Sequence, residues 1–344
     1  MTSRETATRT TRRARFENGD ILMTHLYIAD CSPYPAGGIF HYIMDSDGAL
    51  SPIGKTPADR PMYLAFDGDT LYALLRAPFA ENESSGVCAF PVGADGALGA
   101  ASDIVPTEGT VGCHLCAAFG AVYAANYLSG SVIRLPQDGT DSRLVVHHGA
   151  GADPARQDMA HPHYIAPTPD GRYLVCADLG MDTIFTYDPA LHEVSRLSMP
   201  VGCGCRHLVF SEDGAFAYCV NELSSTLSAL SYANGNFAYL GSVPLDGGMP
   251  SAVRYRSGRV YAASRTDSRI SVFEADGGRL VSLYSMPTGG VSPRDFALFG
   301  GFAVCANERG GAYGMRVGEG ARPAPIPGRF EKAFCVVGRP CGAS

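Results

Sequence analysis

One short phrase recurs seven times along the chain, and this repeat limits the possible folds more than any other feature. Three of its copies are residues 123–126 (YAAN), 218–221 (YCVN) and 304–307 (VCAN). The last residues of the seven copies, which we call the anchors, are Asp30, Leu75, Asn126, Asp178, Asn221, Ser264 and Asn307, spaced 45, 51, 52, 43, 43 and 43 residues apart. Such regularity indicates a chain built from repeated structural units.

Each unit has the pattern of four short strands. An apolar strand such as residues 207–210 (HLVF) leads through a turn such as 211–214 (SEDG) into the phrase, which forms a second strand. A less regular fourth strand, as in residues 238–244, fills the remaining length. The third strand is expected to begin five residues after the anchor in the last five copies, at Ser131, Thr183, Thr226, Arg269 and Ala312.

Seven such units without helical periodicity predict an all-β fold, a seven-bladed β-propeller with four antiparallel strands per blade. Closing the ring hides long sheet edges, which explains how a strand-rich chain stays soluble. Two β-sandwiches are the alternative, but they would not share one period along the whole chain. Residues 330–337 could complete the blade that the N-terminal strand begins.

The repeat also predicts the domain organisation. A length of 344 residues alone suggests about two domains, whereas the repeat predicts a single propeller domain over residues 21–344. Residues 1–20 contain five arginines and no apolar periodicity, so they are predicted to be a disordered leader, with Met23 as a candidate natural start in place of Met1. No apolar stretch typical of a secretory signal follows, which favours a cytoplasmic protein.

Composition argues against several classes of function. The chain has 27 Lys+Arg against 34 Asp+Glu and a formal net charge of −7, which disfavours a nucleic-acid partner. No apolar run is long enough for a membrane helix, and a single-domain propeller is most simply a monomer. Eleven cysteines without a secretory signal predict reduced thiols, most of them buried as small hydrophobes.

The one CxxC sequence is Cys113-His114-Leu115-Cys116. Residues three apart on a strand face opposite sides of the sheet, so the two sulfur atoms are not expected to share a metal ion. No second CxxC or HxxxH sequence supplies further ligands. The sequence therefore predicts neither a metal site nor a cofactor.

Propeller topology brings charged residues together at one rim of the central channel, where first strands open and second strands end. A single histidine there could simply bond a neighbouring blade, polar anchors are expected to form turns, and arginines could form a solvated rim. Convergence of different residues in successive blades favours a site for an anionic small molecule. The converging residues are His114, His163, Arg206, His207, Arg294 and Asp295 from first strands, and Arg76, Tyr127, Glu222, Arg265 and Glu308 after the anchors.

These segments resemble the lactonase family of seven-bladed propellers, which includes bacterial 6-phosphogluconolactonases and the fungal 3-carboxy-cis,cis-muconate lactonizing enzyme. The resemblance covers about residues 24–317 and is carried by the phrases HPHYIAPTPDGRYLVCADLGMDTIFTYD, CRHLVFSEDGAFAYCVNELSSTLSAL, ASRTDSRISVFE and SPRDFAL. It implies that His163 is the active-site histidine, with Arg206, Glu222, Arg265, Arg294 and His114 at further family positions. One departure is Cys205, where the family usually has proline before the arginine.

Hydrolysis of a sugar lactone needs an activated water, a stabilised oxyanion and a grip on the remote anion. We expect Glu222 or His163 to act as general base and Arg206 and Arg265 to stabilise negative charge. Arg294 would hold a phosphate or carboxylate, assisted by the two remaining histidines, His114 and His207. No Gly-x-Ser-x-Gly sequence indicates a serine nucleophile.

The resemblance leaves three functions open. The first is hydrolysis of 6-phosphogluconolactone to 6-phosphogluconate, a reaction of carbohydrate metabolism in the pentose phosphate pathway. The second is cycloisomerisation of 3-carboxy-cis,cis-muconate, because arginines bind phosphate and carboxylate alike. The third is a non-catalytic propeller that binds a partner by its rim, which predicts scattered apolar rim residues instead of a buried Arg/His/Glu set.

Overall fold

A computed structural model describes residues 23–79 and 81–341, and the predicted leader at residues 1–20 lies outside this part of the chain. The described residues form 28 β-strands in seven four-stranded antiparallel sheets. The innermost strands of successive sheets contact one another in a closed circuit. The structure therefore confirms the predicted seven-bladed β-propeller. No helix in the described ranges is long and apolar enough to cross a membrane.

Blades are numbered in chain order from the N-terminal strand, and blade 1 also contains the last strand of the chain. Blade 1 contains β1 (Thr24–Asp30), β2 (Gly38–Met44) and β3 (Leu50–Pro57), with β28 (Ala333–Pro340); blade 2 contains β4 (Pro61–Asp67), β5 (Thr70–Leu75), β6 (Ser84–Pro91) and β7 (Val105–Thr110); blade 3 contains β8 (Gly112–Ala118), β9 (Ala121–Asn126), β10 (Ser131–Pro136) and β11 (Arg143–Val146).

The remaining four blades follow the same order along the chain. Blade 4 contains β12 (Pro162–Pro167), β13 (Leu174–Asp178), β14 (Thr183–Tyr187) and β15 (Glu193–Ser198); blade 5 contains β16 (Cys205–Phe210), β17 (Phe216–Asn221), β18 (Thr226–Ala233) and β19 (Asn236–Pro244); blade 6 contains β20 (Pro250–Arg256), β21 (Arg259–Ser264), β22 (Arg269–Asp276) and β23 (Arg279–Pro287); blade 7 contains β24 (Val291–Phe299), β25 (Phe302–Arg309), β26 (Gly311–Arg316) and β27 (Ala324–Pro325). Four of the five predicted third-strand starts are confirmed, and the fifth strand begins one residue early, at Gly311.

The ring is closed by the C-terminal strand. Strand β28 pairs antiparallel with β1 and becomes the innermost strand of blade 1, which confirms that the end of the chain completes the blade begun at its start. The buried carboxylate of Asp30 reinforces this junction: it accepts hydrogen bonds from the backbone N–H of Ser32, Glu331 and Lys332 at 3.0, 2.7 and 3.2 Å. One side chain thus joins the two ends of the ring.

The core lies between blades. Seven clusters of buried apolar residues fill the interfaces of the described ring, one between each pair of adjacent blades. The middle strands are therefore buried on both faces, which explains why the repeated phrase is apolar at nearly every position. All eleven cysteines are free thiols, and ten of them are buried, as their positions in apolar strands predicted.

Three asparagine anchors show what the repeated phrase does at its polar end. Asn126, Asn221 and Asn307 are fully buried. Asn126 donates from its side-chain amide to the Thr107 carbonyl of blade 2, at 3.1 Å. Asn307 and Asn221 donate within their own blades, to the Gly311 carbonyl at 3.1 Å and to hydroxyls of β18. These three amides therefore form hydrogen bonds inside the frame of the ring.

A β-bulge occurs at the same place in the innermost strand of every blade, next to the residue paired with the anchor. In β8, Gly112 pairs with Asn126 and His114 pairs with Ala125, so Cys113 has no partner in the register. The bulged residues of the ring are Met62, Cys113, His163, Arg206, Ser251, Arg294 and Phe334. A bulge inserts one extra residue into the strand and re-aims the side chains around it.

The bulge corrects one prediction about the CxxC sequence. Strict alternation would place Cys113 and Cys116 on opposite faces of β8, but both belong to the apolar cluster between blades 3 and 4. The extra residue at Cys113 shifts the alternation by one position. Cys113 directs its thiol toward the backbone carbonyls of Pro162 and His163 in the next blade, at 3.5 and 3.7 Å.

Replacing Asp30 with alanine is expected to destabilise the ring junction, because three backbone N–H groups would lose their acceptor. We expect Asp30→Ala to lower the free energy of unfolding by about 3 kcal/mol in urea denaturation. The control is Asp45→Ala, which removes a turn carboxylate that accepts only from Asp47 and Ala49 in its own exposed hairpin. Equal losses in the two variants would contradict a special role for Asp30.

Candidate active site at the mouth of the channel

The site is formed where bulged residues of the inner strands meet the residues that follow the anchors. His163, Arg206 and Arg294 are bulged residues of blades 4, 5 and 7. Glu222 and Arg265 directly follow the anchors Asn221 and Ser264, which pair with the residues just before the bulges of blades 5 and 6. The topology therefore brings these five predicted residues to one end of the channel.

Glu222 lies at the centre of the cluster. Its side chain is 2% exposed, and Arg206 Nε and Arg265 Nη2 lie 2.9 and 2.7 Å from its Oε2 atom. Neither of these two nitrogen atoms is aligned for a hydrogen bond with the carboxylate. Arg156 donates from Nη2 to the other oxygen, Oε1, at 2.5 Å. Three guanidinium groups thus surround one carboxylate.

The arginines are held from their other sides by backbone. Arg206 donates from Nη1 to the carbonyl of Ser251, the bulged residue of blade 6. Arg265 donates from Nε to the Met249 carbonyl at 3.0 Å. Backbone acceptors on neighbouring segments therefore orient the guanidinium groups without a second carboxylate.

The cluster keeps Glu222 ionised. Burial opposes ionisation, but the charges of Arg206 and Arg265 outweigh it and lower the pKa of Glu222 far below its usual range. Burial lowers the pKa of Arg206 to about 9 against the favourable charge of Glu222, so this guanidinium remains charged at neutral pH. The site is therefore an ionic cluster in which cations exceed anions.

Arg294 extends the cluster toward blade 1. Its Nη1 atom lies 3.5 Å from Oε2 of Glu308, and its guanidinium carbon lies 4.7 Å from the centre of the Phe334 ring. Burial and the charge of Arg265 lower the pKa of Arg294. With a side chain 20% exposed, Arg294 is more accessible to a ligand than Arg206, whose side chain is 4% exposed.

His163 supplies a neutral imidazole beside these charges. Its ring lies 5.4 Å from that of Tyr127 and 5.5 Å from that of His207. Burial, assisted by the charge of Arg206, lowers the pKa of His163 well below the ordinary value of 6.5. Nδ1 is buried without a hydrogen-bond partner, which leaves Nε2 as the nitrogen available to a bound water.

The role of His114 and His207 as substrate ligands stays a prediction. Each follows the bulged residue of its blade, and both are almost completely buried, with aromatic rings close to each. The His114 ring lies 4.1 Å from Tyr63 and 4.5 Å from Tyr164. Burial lowers the pKa of His114 to about 3, so it carries no charge with which to bind an anion at neutral pH.

Asp295 likewise follows a bulged residue, Arg294, and is buried. Its carboxylate accepts a hydrogen bond from Arg254 at 2.5 Å and another from the Val336 backbone N–H at 3.1 Å. The residues after the bulges are therefore engaged in ring contacts and hydrogen bonds inside the propeller.

Arg156 is a functional candidate that sequence reasoning missed. It belongs to the segment between β11 and β12, which lies outside the strand pattern of the repeat. The buried side chain of Gln157 fixes this segment by accepting from the Ala152 and Asp153 N–H groups and donating to the Leu179 carbonyl. The signal available in the sequence is length, because the unit from Asn126 to Asp178 is the longest of the seven.

Cys205, which stands where the resemblance would put proline, is accommodated without loss of the bulge. Proline precedes the bulged residue in four blades, at Pro61, Pro162, Pro250 and Pro293. The buried Cys205 thiol instead approaches the Asp178 carbonyl at 3.2 Å. Arg206 keeps the bulged position despite this substitution.

The described residues contain no group of three or more His, Cys, Asp or Glu side chains arranged to hold a metal ion. The buried, charged character of the mouth also differs from the scattered apolar rim expected of a non-catalytic binding propeller. The side-chain groups that could bind or react with a ligand in this cluster are guanidinium groups, one carboxylate and one neutral imidazole.

Neutralising Glu222 is expected to destabilise the fold in a pH-dependent way. Because the folded-state pKa lies below the ordinary value of 4.5, this carboxylate contributes stability above pH 4.5 and loses it as the pH falls further. We expect Glu222→Gln to cost about 3 kcal/mol of unfolding free energy at pH 7. The difference from wild type should shrink below pH 4.5, by up to about 1.4 kcal/mol per pH unit.

Urea denaturation at pH 7, 4.5 and 3.5 measures this effect. The matched control is Glu193→Gln, which breaks an exposed pair with Arg196 and should cost about 1 kcal/mol or less at pH 7. A Glu222→Gln penalty that stays constant down to pH 3.5 would show that the lost stability does not come from the ionised carboxylate.

Known proteins resemble this chain in sequence and in fold. A protein of Staphylococcus saprophyticus, itself uncharacterized, is 27% identical over 315 residues, which cover 83% of this chain and 88% of that protein. A crystal structure from Bacteroides fragilis, described provisionally as a 6-phosphogluconolactonase, has a TM-score of 0.83 at 25% identity and covers 93% of this chain and 98% of that one.

A third relative shows the same fold at lower identity. The periplasmic gluconolactonase of Pseudomonas aeruginosa has a TM-score of 0.82 at 23% identity, covering 92% of this chain and 99% of that one. None of the three relatives named here supports the cycloisomerase alternative. The profile of the family described as "Lactonase, 7-bladed beta-propeller" matches residues 25–314. The chain belongs to the lactonase family of seven-bladed β-propellers.

Proposed function

We propose that this protein hydrolyses a sugar lactone that carries an anionic group, with 6-phosphogluconolactone as the preferred substrate. The observation that carries the proposal is the excess of guanidinium groups around the buried Glu222 carboxylate, beside a neutral imidazole at the mouth of the channel. Such a site attracts an anion and stabilises negative charge that develops during attack on a carbonyl group. The family and the B. fragilis neighbour support a lactone hydrolase.

In the proposed reaction, the oxygen of a water molecule attacks the lactone carbonyl carbon while His163 Nε2 takes a proton from that water. The carbonyl oxygen becomes an oxyanion, and Arg265 and Arg206 stabilise it. When the ring C–O bond breaks, the imidazolium returns its proton to the departing ring oxygen. The product is the open-chain acid with a hydroxyl group, and His163 is neutral again.

His163 suits the role of general base better than Glu222. A carboxylate with a strongly lowered pKa is a weak base, and Glu222 is already engaged by three arginines. Its carboxylate instead reduces repulsion among the guanidinium groups and fixes where they point. Glu222 is therefore a positioning residue in this proposal, and His163 is the catalytic residue.

Substrate binding improves His163 as a base. In the free protein, the charge of Arg206 adds to burial in lowering the pKa of His163. The charge of Arg294 also lowers this pKa, and an anionic substrate group beside Arg294 offsets part of that charge, which raises the pKa of His163 when substrate binds. This coupling makes the imidazole most basic when the lactone is present.

Purified protein at pH 7 should hydrolyse freshly prepared 6-phosphogluconolactone with saturation kinetics, well above the spontaneous rate. The physical reason is that the arginine cluster stabilises both the bound anion and the developing oxyanion. Spontaneous hydrolysis is measured in parallel and subtracted, and 3-carboxy-cis,cis-muconate serves as the comparison substrate. A rate equal to that of buffer, or turnover of the muconate alone, would overturn the proposal.

His163→Gln should lower kcat for the lactone by about 100-fold or more, because water loses its proton acceptor. KM should change little, since the arginines remain in place. The control is His192→Gln, which makes the same change at an exposed side chain on the β14–β15 turn, at the opposite end of the blade. Thermal melting establishes that both variants are folded, and an unchanged kcat in folded His163→Gln would remove His163 from the mechanism.

A further inference from the structure

A second feature of the mouth is a cleft of about 830 Å³ between blades 1, 2 and 7. It lies beside the Glu222 cluster and not within it, because none of Glu222, Arg206 and Arg265 lines it. Six of its lining residues matter here: Cys31, Arg60, Arg76, Glu308, Lys332 and Phe334. Neither the repeat nor the family match assigns a role to this cleft.

Two of the cations that line the cleft have unpaired side chains. Within the described ranges, neither the Arg76 guanidinium nor the Lys332 ammonium makes a hydrogen bond or ion pair, although both are exposed to solvent. Arg60, by contrast, is paired with Asp59 at 2.7 Å. The cleft therefore holds two positive charges that are free to bind a ligand.

The backbones that carry these two cations are fixed. The Arg76 N–H donates to the Arg60 carbonyl at 3.0 Å, and its carbonyl accepts from the Ser85 hydroxyl at 2.6 Å. Lys332 lies at the ring closure, where its N–H donates to Asp30 and its carbonyl accepts from the Cys31 N–H at 2.8 Å. Both side chains therefore extend from fixed backbone positions on adjacent blades, which lowers the entropic cost of binding.

Arg294 connects the cleft with the Glu222 cluster. Its two partners, Glu308 and Phe334, both line the cleft. In the lining of the cleft, burial raises the pKa of the Cys31 thiol to about 12, and the charges of Arg76, Lys332 and Arg294 act in the opposite direction. Three cations from three blades thus act on one point.

We propose that this cleft binds the terminal phosphate of the sugar lactone, with Arg76 and Lys332 as its ligands and Arg294 at the border with the reaction centre. The inference rests on the proposed lactonase function and gives the substrate a second point of attachment. The lactone carbonyl then lies toward His163 and Arg265, and the phosphate lies beyond Arg294. A phosphate fits this set because it accepts hydrogen bonds from several directions, as a guanidinium and an ammonium donate them.

Acidic residues also line the cleft, and they define its other side. Glu81 and Glu83 are exposed in the segment between β5 and β6, and Glu308 is paired with Arg294. A hydroxylated sugar between the acidic and cationic sides would donate to carboxylates while its phosphate accepts from the cations. The cleft is therefore suited to a phosphosugar more than to a small compact anion.

The test compares two substrates that differ only in the phosphate, 6-phosphogluconolactone and glucono-1,5-lactone, in wild type and in Arg76→Ala/Lys332→Ala. We expect wild type to prefer the phosphorylated lactone. The double variant should lose about 100-fold in kcat/KM for that lactone, mainly through KM, and change less than about threefold for gluconolactone. The control is Arg259→Ala/Arg279→Ala, which removes two exposed cations from the opposite end of blade 6.

A binding experiment separates failure of this inference from failure of the proposed function. Calorimetry measures 6-phosphogluconate, gluconate and inorganic phosphate against both proteins, and we expect selective, Arg76- and Lys332-dependent binding of 6-phosphogluconate. If wild type hydrolyses neither lactone but binds 6-phosphogluconate in this way, the reaction is wrong and the cleft assignment stands.

Other outcomes overturn the cleft assignment. Equal losses for both lactones would place Arg76 and Lys332 at the reaction centre or in the fold, and no loss for either would leave them without a role in binding. Equal affinities for 6-phosphogluconate and gluconate would also overturn the cleft assignment, because the phosphate would then contribute nothing to binding. Arg76→Gln alone, which keeps a polar side chain of similar reach, checks the result if the double variant is unstable.

Discussion

The mouth of this propeller depends on one backbone feature, the β-bulge that each innermost strand carries beside its anchor. The bulge frees one residue per blade from the regular alternation of the strand, without breaking the pairing on either side. The amino acid at that position can therefore differ from blade to blade. Blade 5 carries Arg206 there, blade 6 carries Ser251 and blade 1 carries Phe334. Seven structurally equivalent positions can therefore form an asymmetric site on a nearly symmetric frame.

The energetic problem at this mouth is to bury guanidinium groups close together. Desolvation of a buried ion costs several kcal/mol, and mutual repulsion adds to that cost. Glu222 offsets part of it by facing Arg156, Arg206 and Arg265 at once, and backbone carbonyls offset more. Three arginines still face a single carboxylate, so the mouth carries an excess of positive charge although the formal net charge of the chain is −7.

The sequence analysis predicted the features that follow from the regular spacing of the repeat. It failed where a local feature interrupts that regularity. The spacing of the repeated phrase predicted the number of blades. The C-terminal strand was predicted because the first blade needed a fourth strand. Alternation could not show the bulges, and so it wrongly placed Cys113 and Cys116 on opposite faces of their strand. The sequence analysis did not identify Arg156, because this residue lies on a segment between strands where the repeat does not predict which residues are neighbours.

The two sides of the mouth differ in chemistry, and the difference orients a substrate. Blades 4 to 7 present the imidazole and the paired arginines, whereas the bulged residues of blades 2 and 3 are Met62 and Cys113. The Cys31 thiol donates to Met62 Sδ, and burial raises the pKa of both Cys31 and Cys113 to about 12, so these sulfurs stay neutral at physiological pH. These neutral sulfurs neither repel an anion nor compete for the arginines, so the cationic groups that a ligand meets are the arginines around Glu222 on one side and Arg76 and Lys332 on the other. Two separate groups of cations are what the proposed reaction requires, because one end of the lactone is held for attack while the other is held for recognition.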